Sequence, residues 1–240
     1  MTRSRVGRPP LIVQPHPGPT SNARIRLDLR TQFFTSRGFA VVDVDYRGST
    51  GYGRSYRTQL DGRWGVLEVA DCVDVATFLA DRGDVDPART VISGASAGGF
   101  TALRALAASN RFAAGVSWFG IADLAMFRAR VPRFQRYHPD RLIGPWPVAA
   151  RTYRERSPVH HADRITSPVL VIQGLDDDIV TSEQANAVVA ALRGRDVPVT
   201  ALTFPGEGHG LRRSSNLSRA IEAELAFYRA VLHRSARSDK

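Results

Sequence analysis

Short apolar runs alternate along the chain with longer stretches whose apolar positions recur at helical spacing. Pro10–Gln14, Phe39–Val44, Thr90–Ser93, Ala113–Trp118, Pro168–Gln173 and Val197–Phe204 read as six strands. Leu29–Arg37 reads as a helix closed by Gly38. Val66–Arg82 carries Val66, Val69, Ala70, Val73, Val75, Ala76, Leu79 and Ala80 on a largely helical period, and Gly83 stops it. Ala97–Ala108, Ser182–Arg195 (broken near its end by Gly194) and Ser218–Leu232 complete the helices. Strands that alternate with helices predict βα units, hence an α/β fold with a mainly parallel sheet and helices on both faces. The unbroken apolar run Pro168-Val169-Leu170-Val171-Ile172 suits a strand covered on both sides. Gly120–Ile165 breaks the rhythm. It is aromatic, arginine-rich and punctuated by prolines, and reads as a helical excursion of residues 120–165 over one end of the sheet. The whole of 1–240 reads as one domain built on this plan.

Composition removes alternatives. With 43% hydrophobic and 23% charged residues, the 240-residue chain is neither disordered, collagen-like nor a coiled coil. Cys72 is the only cysteine, which excludes an internal disulfide and a cysteine-based zinc cluster. It falls inside a predicted helix as a small apolar residue. No apolar stretch approaches the roughly 18–20 residues of a membrane span, and Leu11-Ile12-Val13 is too short for a signal-peptide core. The expectation is a cytoplasmic protein with no membrane partner. The net charge of +10 suggests an acidic partner when taken alone. Yet Lys240 is the only lysine, and the arginines are scattered without interleaved aromatics. Arginine-biased composition accounts for this, and no nucleic-acid partner is expected. Gly51–Tyr56 starts like a dinucleotide loop but has Tyr56 where the third glycine belongs. His160 and His161 are adjacent, without metal-ligand spacing. No metal and no cofactor are expected.

Chemistry concentrates at three loops. Gly94-Ala95-Ser96-Ala97-Gly98 fits G-x-S-x-G and sits between a predicted strand and a predicted helix. Such a turn lifts the Ser96 hydroxyl above the strand ends and sets the free N–H groups of a helix start beside it. A serine hydroxyl needs a base to take its proton, and the base needs an orienting carboxylate. Downstream, one strand ends in Asp176-Asp177-Asp178 and another in Glu207-Gly208-His209-Gly210. Both loops follow strand C-terminal ends, where open α/β sheets bind ligands. The order serine, acid, histidine is the order of the α/β-hydrolase fold. A solvated acidic turn and an inert loop histidine are the competing readings of these two loops.

The sequence resembles the catalytic domain of the prolyl oligopeptidase family of serine peptidases, closest to its dipeptidyl-aminopeptidase and acylaminoacyl-peptidase branch. The stretches that carry the resemblance are Asp45–Gly53, Arg63-Trp64-Gly65 with Asp71, Gly94–Gly99, Tyr153–Pro158, Gly174–Val180 and Gly206–Gly210. The resemblance extends from about Pro10 to His233. The resemblance implies an α/β-hydrolase fold with Ser96 as nucleophile, His209 as base and Asp177 as the orienting acid. It selects Asp177 within the triplet because Gly174 and Val180 frame it in the family's G-x-x-D-x-x-V pattern. The residue after the nucleophile, Ala97, supplies one oxyanion donor through its N–H. Where the family has His-Gly-Gly-Pro, this chain has His16-Pro17-Gly18-Pro19. Pro17 has no N–H, so the second donor is expected from Gly18. Relatives of strict dipeptidyl or prolyl specificity often carry arginine or asparagine at the position held here by Ile179.

Trp118, Phe119, Phe127, Phe134 and Tyr137 are candidates for the substrate pocket, with ordinary core packing as the competing reading. The expected function is a serine-type peptidase that hydrolyses peptide or acyl-aminoacyl bonds through an acyl-enzyme. An esterase acting on small acyl esters and an inactive remnant are the alternatives. The expected partner is a peptide or small acyl substrate. The family's β-propeller is not in the sequence, and the chain starts at the strand that normally follows an antiparallel pair. That start would leave Phe39–Val44 as an exposed sheet edge through which copies could pair.

Overall fold

The structure is a computed structural model that describes residues 7–131 and 135–238, with side chains as far as His233. Six strands form one sheet: β1 (Leu11–Pro15), β2 (Ala40–Val44), β3 (Thr90–Ala95), β4 (Ala114–Trp118), β5 (Val169–Gly174) and β6 (Val199–Phe204). Their order is β2-β1-β3-β4-β5-β6, and every neighbouring pair is parallel. All six expected strands are present, displaced by no more than two residues at either end. The expected helices become α1 (Leu29–Thr35), α3 (Leu67–Asp81), α4 (Ala97–Ala108), α8 (Ser182–Arg193) and α9 (Ser214–Ser238), while α2 (Arg54–Arg57) is an added single turn. The expected excursion resolves into α5 (Leu124–Arg130), α6 (Tyr137–Ile143) and α7 (Ala150–Arg156), followed by 3₁₀ turns over Pro158–Arg164. No described helix is long and apolar enough to cross a membrane.

Strand alternation divides the core. Leu11, Val13, Ile92, Val169 and Val171 pack on the face covered by α3, α4 and α8. Ile12, Val91, Val116, Leu170 and Ile172 pack on the face covered by α1 and α9. The four central strands β1, β3, β4 and β5 therefore bury both sets of side chains, which is why their runs read as continuous rather than alternating. β2 pairs only with β1 and lies at the sheet edge among the described residues. Val44 is buried there, whereas Asp43 is exposed, so the edge is not wholly apolar.

The α1/α9 face contains a polar knot. Glu224 of α9 is fully buried, and both its oxygens accept from Nη2 of Arg30 on α1, at 2.6 and 2.8 Å. The Ser93 and Tyr228 hydroxyls each donate to Glu224 at 2.6 Å. The Arg30 guanidinium also donates to Gln14 and lies over the rings of Phe34 and Trp118. A buried carboxylate needs such compensation, because desolvation costs several kcal/mol per ion.

A second buried carboxylate is less well served. Glu68 is fully buried on α3, and its Oε1 accepts from the Gly65 N–H at 2.6 Å. Its Oε2 has no partner among the described residues. Burial pushes this carboxyl up to about 7 from the ordinary 4.5. The folded protein thus holds a proton that the unfolded chain loses first, so stability falls as pH rises from about 4.5 to 7. The expected result is that Glu68→Gln gains stability on wild type between pH 5 and pH 8, by about 2–3 kcal/mol. Urea unfolding at both pH values checks this. An equal difference at the two would contradict it.

Candidate active site

The turn between β3 and α4 sets the site. Ser96 has φ 55° and ψ −118°, a conformation that ordinary residues avoid. Its N–H donates to the Trp118 carbonyl at 2.9 Å, which ties the turn to the end of β4. The two glycines of the motif serve close approach. A Cβ on Gly94 would stand 2.2 Å from the Gly98 carbonyl oxygen, and one on Gly98 would stand 2.3 Å from the Pro15 carbonyl oxygen. The helix start is thereby pressed against both its own strand and the end of β1.

Three side chains from three loops meet in a line. The Ser96 hydroxyl oxygen lies 3.0 Å from His209 Nε2, and His209 Nδ1 lies 2.8 Å from Asp177 Oδ2. Of the three consecutive aspartates only Asp177 is buried. Its Oδ1 accepts from the N–H groups of Ile179 and Val180 at 2.9 and 2.8 Å. Since Asp177 Oδ2 faces Nδ1, Nδ1 carries a proton and Nε2 is free to accept from the serine. The His209 loop is fixed by Glu207, whose carboxylate accepts from the Arg212 and Arg213 N–H groups and the Asn216 amide. These bonds hold the Glu207 carboxyl below its usual range. The ring of Phe119, another positive-φ residue, stands 5.0 Å edge-on to His209.

The two expected oxyanion donors come from two different segments. Ala97 is the first residue of α4, and Gly18 turns at φ +61° in the segment that follows β1. Among the described residues neither N–H has a protein partner. The His16 ring stacks on Tyr46 at 4.1 Å, and its Nε2 lies 2.7 Å from the Ser49 hydroxyl. Its Nδ1 donates to the Pro17 carbonyl at 3.0 Å. That carbonyl shares a peptide plane with the Gly18 N–H, so the imidazole sets the direction in which the N–H projects. Burial lowers the pKa of His16.

The expected pocket aromatics separate. Trp118 and Phe119 line a cavity of about 570 Å³ beside the His209 loop. Phe127 packs against the core on the α3/α4 side. Tyr137 is 73% exposed on α6, and Phe134 lies outside the described residues. Sequence reading missed Gln173, whose buried amide donates to the Gly174 and Val180 carbonyls and to Asp177 Oδ2 at 3.3 Å. Its signal was a polar residue closing an otherwise apolar strand. Among the described residues no three His, Cys, Asp or Glu side chains are grouped to hold a metal.

A sequence profile described as the prolyl oligopeptidase family matches residues 25–235. Dipeptidyl peptidase family member 6 of Caenorhabditis elegans is 32% identical over 213 residues, which cover 86% of this chain and 29% of that protein. Dipeptidyl aminopeptidase BIII of Pseudoxanthomonas mexicana is also 32% identical over 213 residues, covering 86% of this chain and 31% of its own. Among solved structures, a puromycin-hydrolyzing peptidase of Mycobacterium tuberculosis superposes with a TM-score of 0.93 at 46% identity, over 95% of this chain and 35% of that one. The chain thus spans about a third of the length of the relatives it matches.

Proposed function

Because the chain belongs to the prolyl oligopeptidase family, we propose that it is a serine peptidase that cleaves peptide or acyl-aminoacyl bonds, with Ser96, His209 and Asp177 as its catalytic residues. The observation that carries this reading is the unbroken line from the Ser96 hydroxyl through the His209 imidazole to the buried Asp177 carboxylate, at 3.0 and 2.8 Å. In this reading Ser96 Oγ attacks the carbonyl carbon while its proton passes to His209 Nε2. The negative charge that develops on the carbonyl oxygen is met by the N–H groups of Ala97 and Gly18. His209 then gives its proton to the departing nitrogen, the C–N bond breaks, and the acyl group stays on Ser96. Water, activated by the same imidazole, releases the acid. Asp177 remains ionised and holds the imidazolium.

The relatives named dipeptidyl peptidase, dipeptidyl aminopeptidase and puromycin-hydrolyzing peptidase are all peptidases by name, which supports peptidase over esterase chemistry. An aryl phosphonate tests the reading. It should phosphonylate the folded protein once, on the tryptic peptide containing Ser96, and His209→Ala should remove the labelling. Folded wild-type protein that stays unlabelled would refute the proposal.

A further inference from the structure

The 570 Å³ cavity lies on the α1/α9 side of the sheet, next to the catalytic line but distinct from it. Gly94 and Ala95, the two residues before Ser96, form part of its wall, and so does Gly210, the residue after His209. Phe119 stands between the cavity and the imidazole. In acyl transfer the imidazole hands its proton to the leaving group, so that half of the substrate must depart from the histidine side. Gly210, adjacent to His209 in the chain, and Phe119, edge-on to its ring, bring the cavity wall against the histidine.

We propose that this chamber receives the leaving-group half of the substrate and favours an aromatic or branched apolar residue directly after the scissile bond. The inference rests on the serine-hydrolase reading above. Its volume falls in the range of about 300–1,000 Å³ that small-ligand pockets occupy. Trp118, Phe119, Leu211, Leu217 and Pro17 give it apolar walls. The charges at its base are already committed: Arg30 to Glu224, and Asp28 to the N–H of Thr31 as the cap of α1. Arg24, Arg26 and Asp43 give the lining both signs, so charge does not select the ligand. Leu217, 40% exposed on α9, gives it an apolar wall left uncovered among the described residues.

The test compares two peptides with the same acyl half, one releasing phenylalaninamide and the other glycinamide. The expected kcat/KM ratio is about tenfold or more in favour of phenylalaninamide, the discrimination an apolar pocket ordinarily gives. Leu217→Trp, at an exposed position, should cut that ratio at least severalfold, and Leu211→Trp, at a second lining position, should do the same. Phenylalaninamide should also inhibit the wild-type chain more strongly than glycinamide, a readout that needs no variant. A ratio near one in protein that the phosphonate labels on Ser96 would overturn the chamber and leave the hydrolase reading standing. An unchanged ratio in both tryptophan variants would overturn it equally. Unlabelled protein without turnover would bring down both.

Discussion

Replacing Ser96 with alanine is expected to lower kcat for peptides and esters alike by roughly 10⁴–10⁶-fold, the loss seen when a nucleophile that acts as one unit with its base is removed. The hydroxyl is the only group in the proposed mechanism that bonds to the substrate carbon, and among the described residues His209 Nε2 has no hydrogen-bond partner other than it. What remains comes from oxyanion donors and binding. Steady-state kinetics with an aminoacyl p-nitroanilide and a p-nitrophenyl ester checks this. Full activity on either substrate would show that another nucleophile does the work. Stability adds a second readout. Ser96 sits at φ 55°, where a Cβ is strained, and alanine keeps that strain while losing one hydrogen bond. Ser96→Gly relieves it, so the glycine variant should be equally inactive yet more stable than the alanine variant, by about 1 kcal/mol or more.

The second large effect is structural. Gly94→Ala should destabilise the protein by at least about 3–5 kcal/mol, the range of severe core defects. Its Cβ would lie 2.2 Å from the Gly98 carbonyl oxygen and 2.3 Å from the carbonyl carbon. Both are backbone atoms of the helix start, which the Pro15 carbonyl holds from the other side, so neither can retreat. For a chain of this size that loss shifts the melting temperature by roughly 10 °C or more. Gly51→Ala is the control. A Cβ there meets nothing within 4 Å, and only its φ of +93° resists the change. It should cost about 1–2 kcal/mol. If thermal melts place both variants alike, close approach is not what the motif's first glycine provides.

The contrast between these glycines also shows what sequence could and could not reveal. The central strands were legible because their runs are apolar on both faces, the edge strands because theirs are rich in β-branched residues, and Ser96 because its glycine frame falls between a strand and a helix. His209 and the acidic triplet were legible by their place after strands. Which aspartate faces the histidine depends on a one-residue difference in burial, and only the family pattern singled out Asp177. The excursion over 120–165 hid its three short helices because prolines interrupt any period. Nothing local announced that Arg30 meets Glu224, 194 residues later. An arginine on one helix and a glutamate on another carry no mark of which charge each will meet. Likewise His16 read as part of a loop motif, and only the fold brings it against Tyr46 and Ser49. Contacts between residues remote in sequence leave no periodic trace.

That Arg30–Glu224 bridge has a consequence for how the protein is made. The ribosome delivers α1 before α9, and the face they share closes only when Glu224 arrives. Until then Arg30, Ser93 and Gln14 line an open flank of a sheet whose strands are already available to pair. Completion of that flank therefore waits until synthesis has passed residue 224, and nascent chains halted before it should be the ones that chaperones hold and proteases cut.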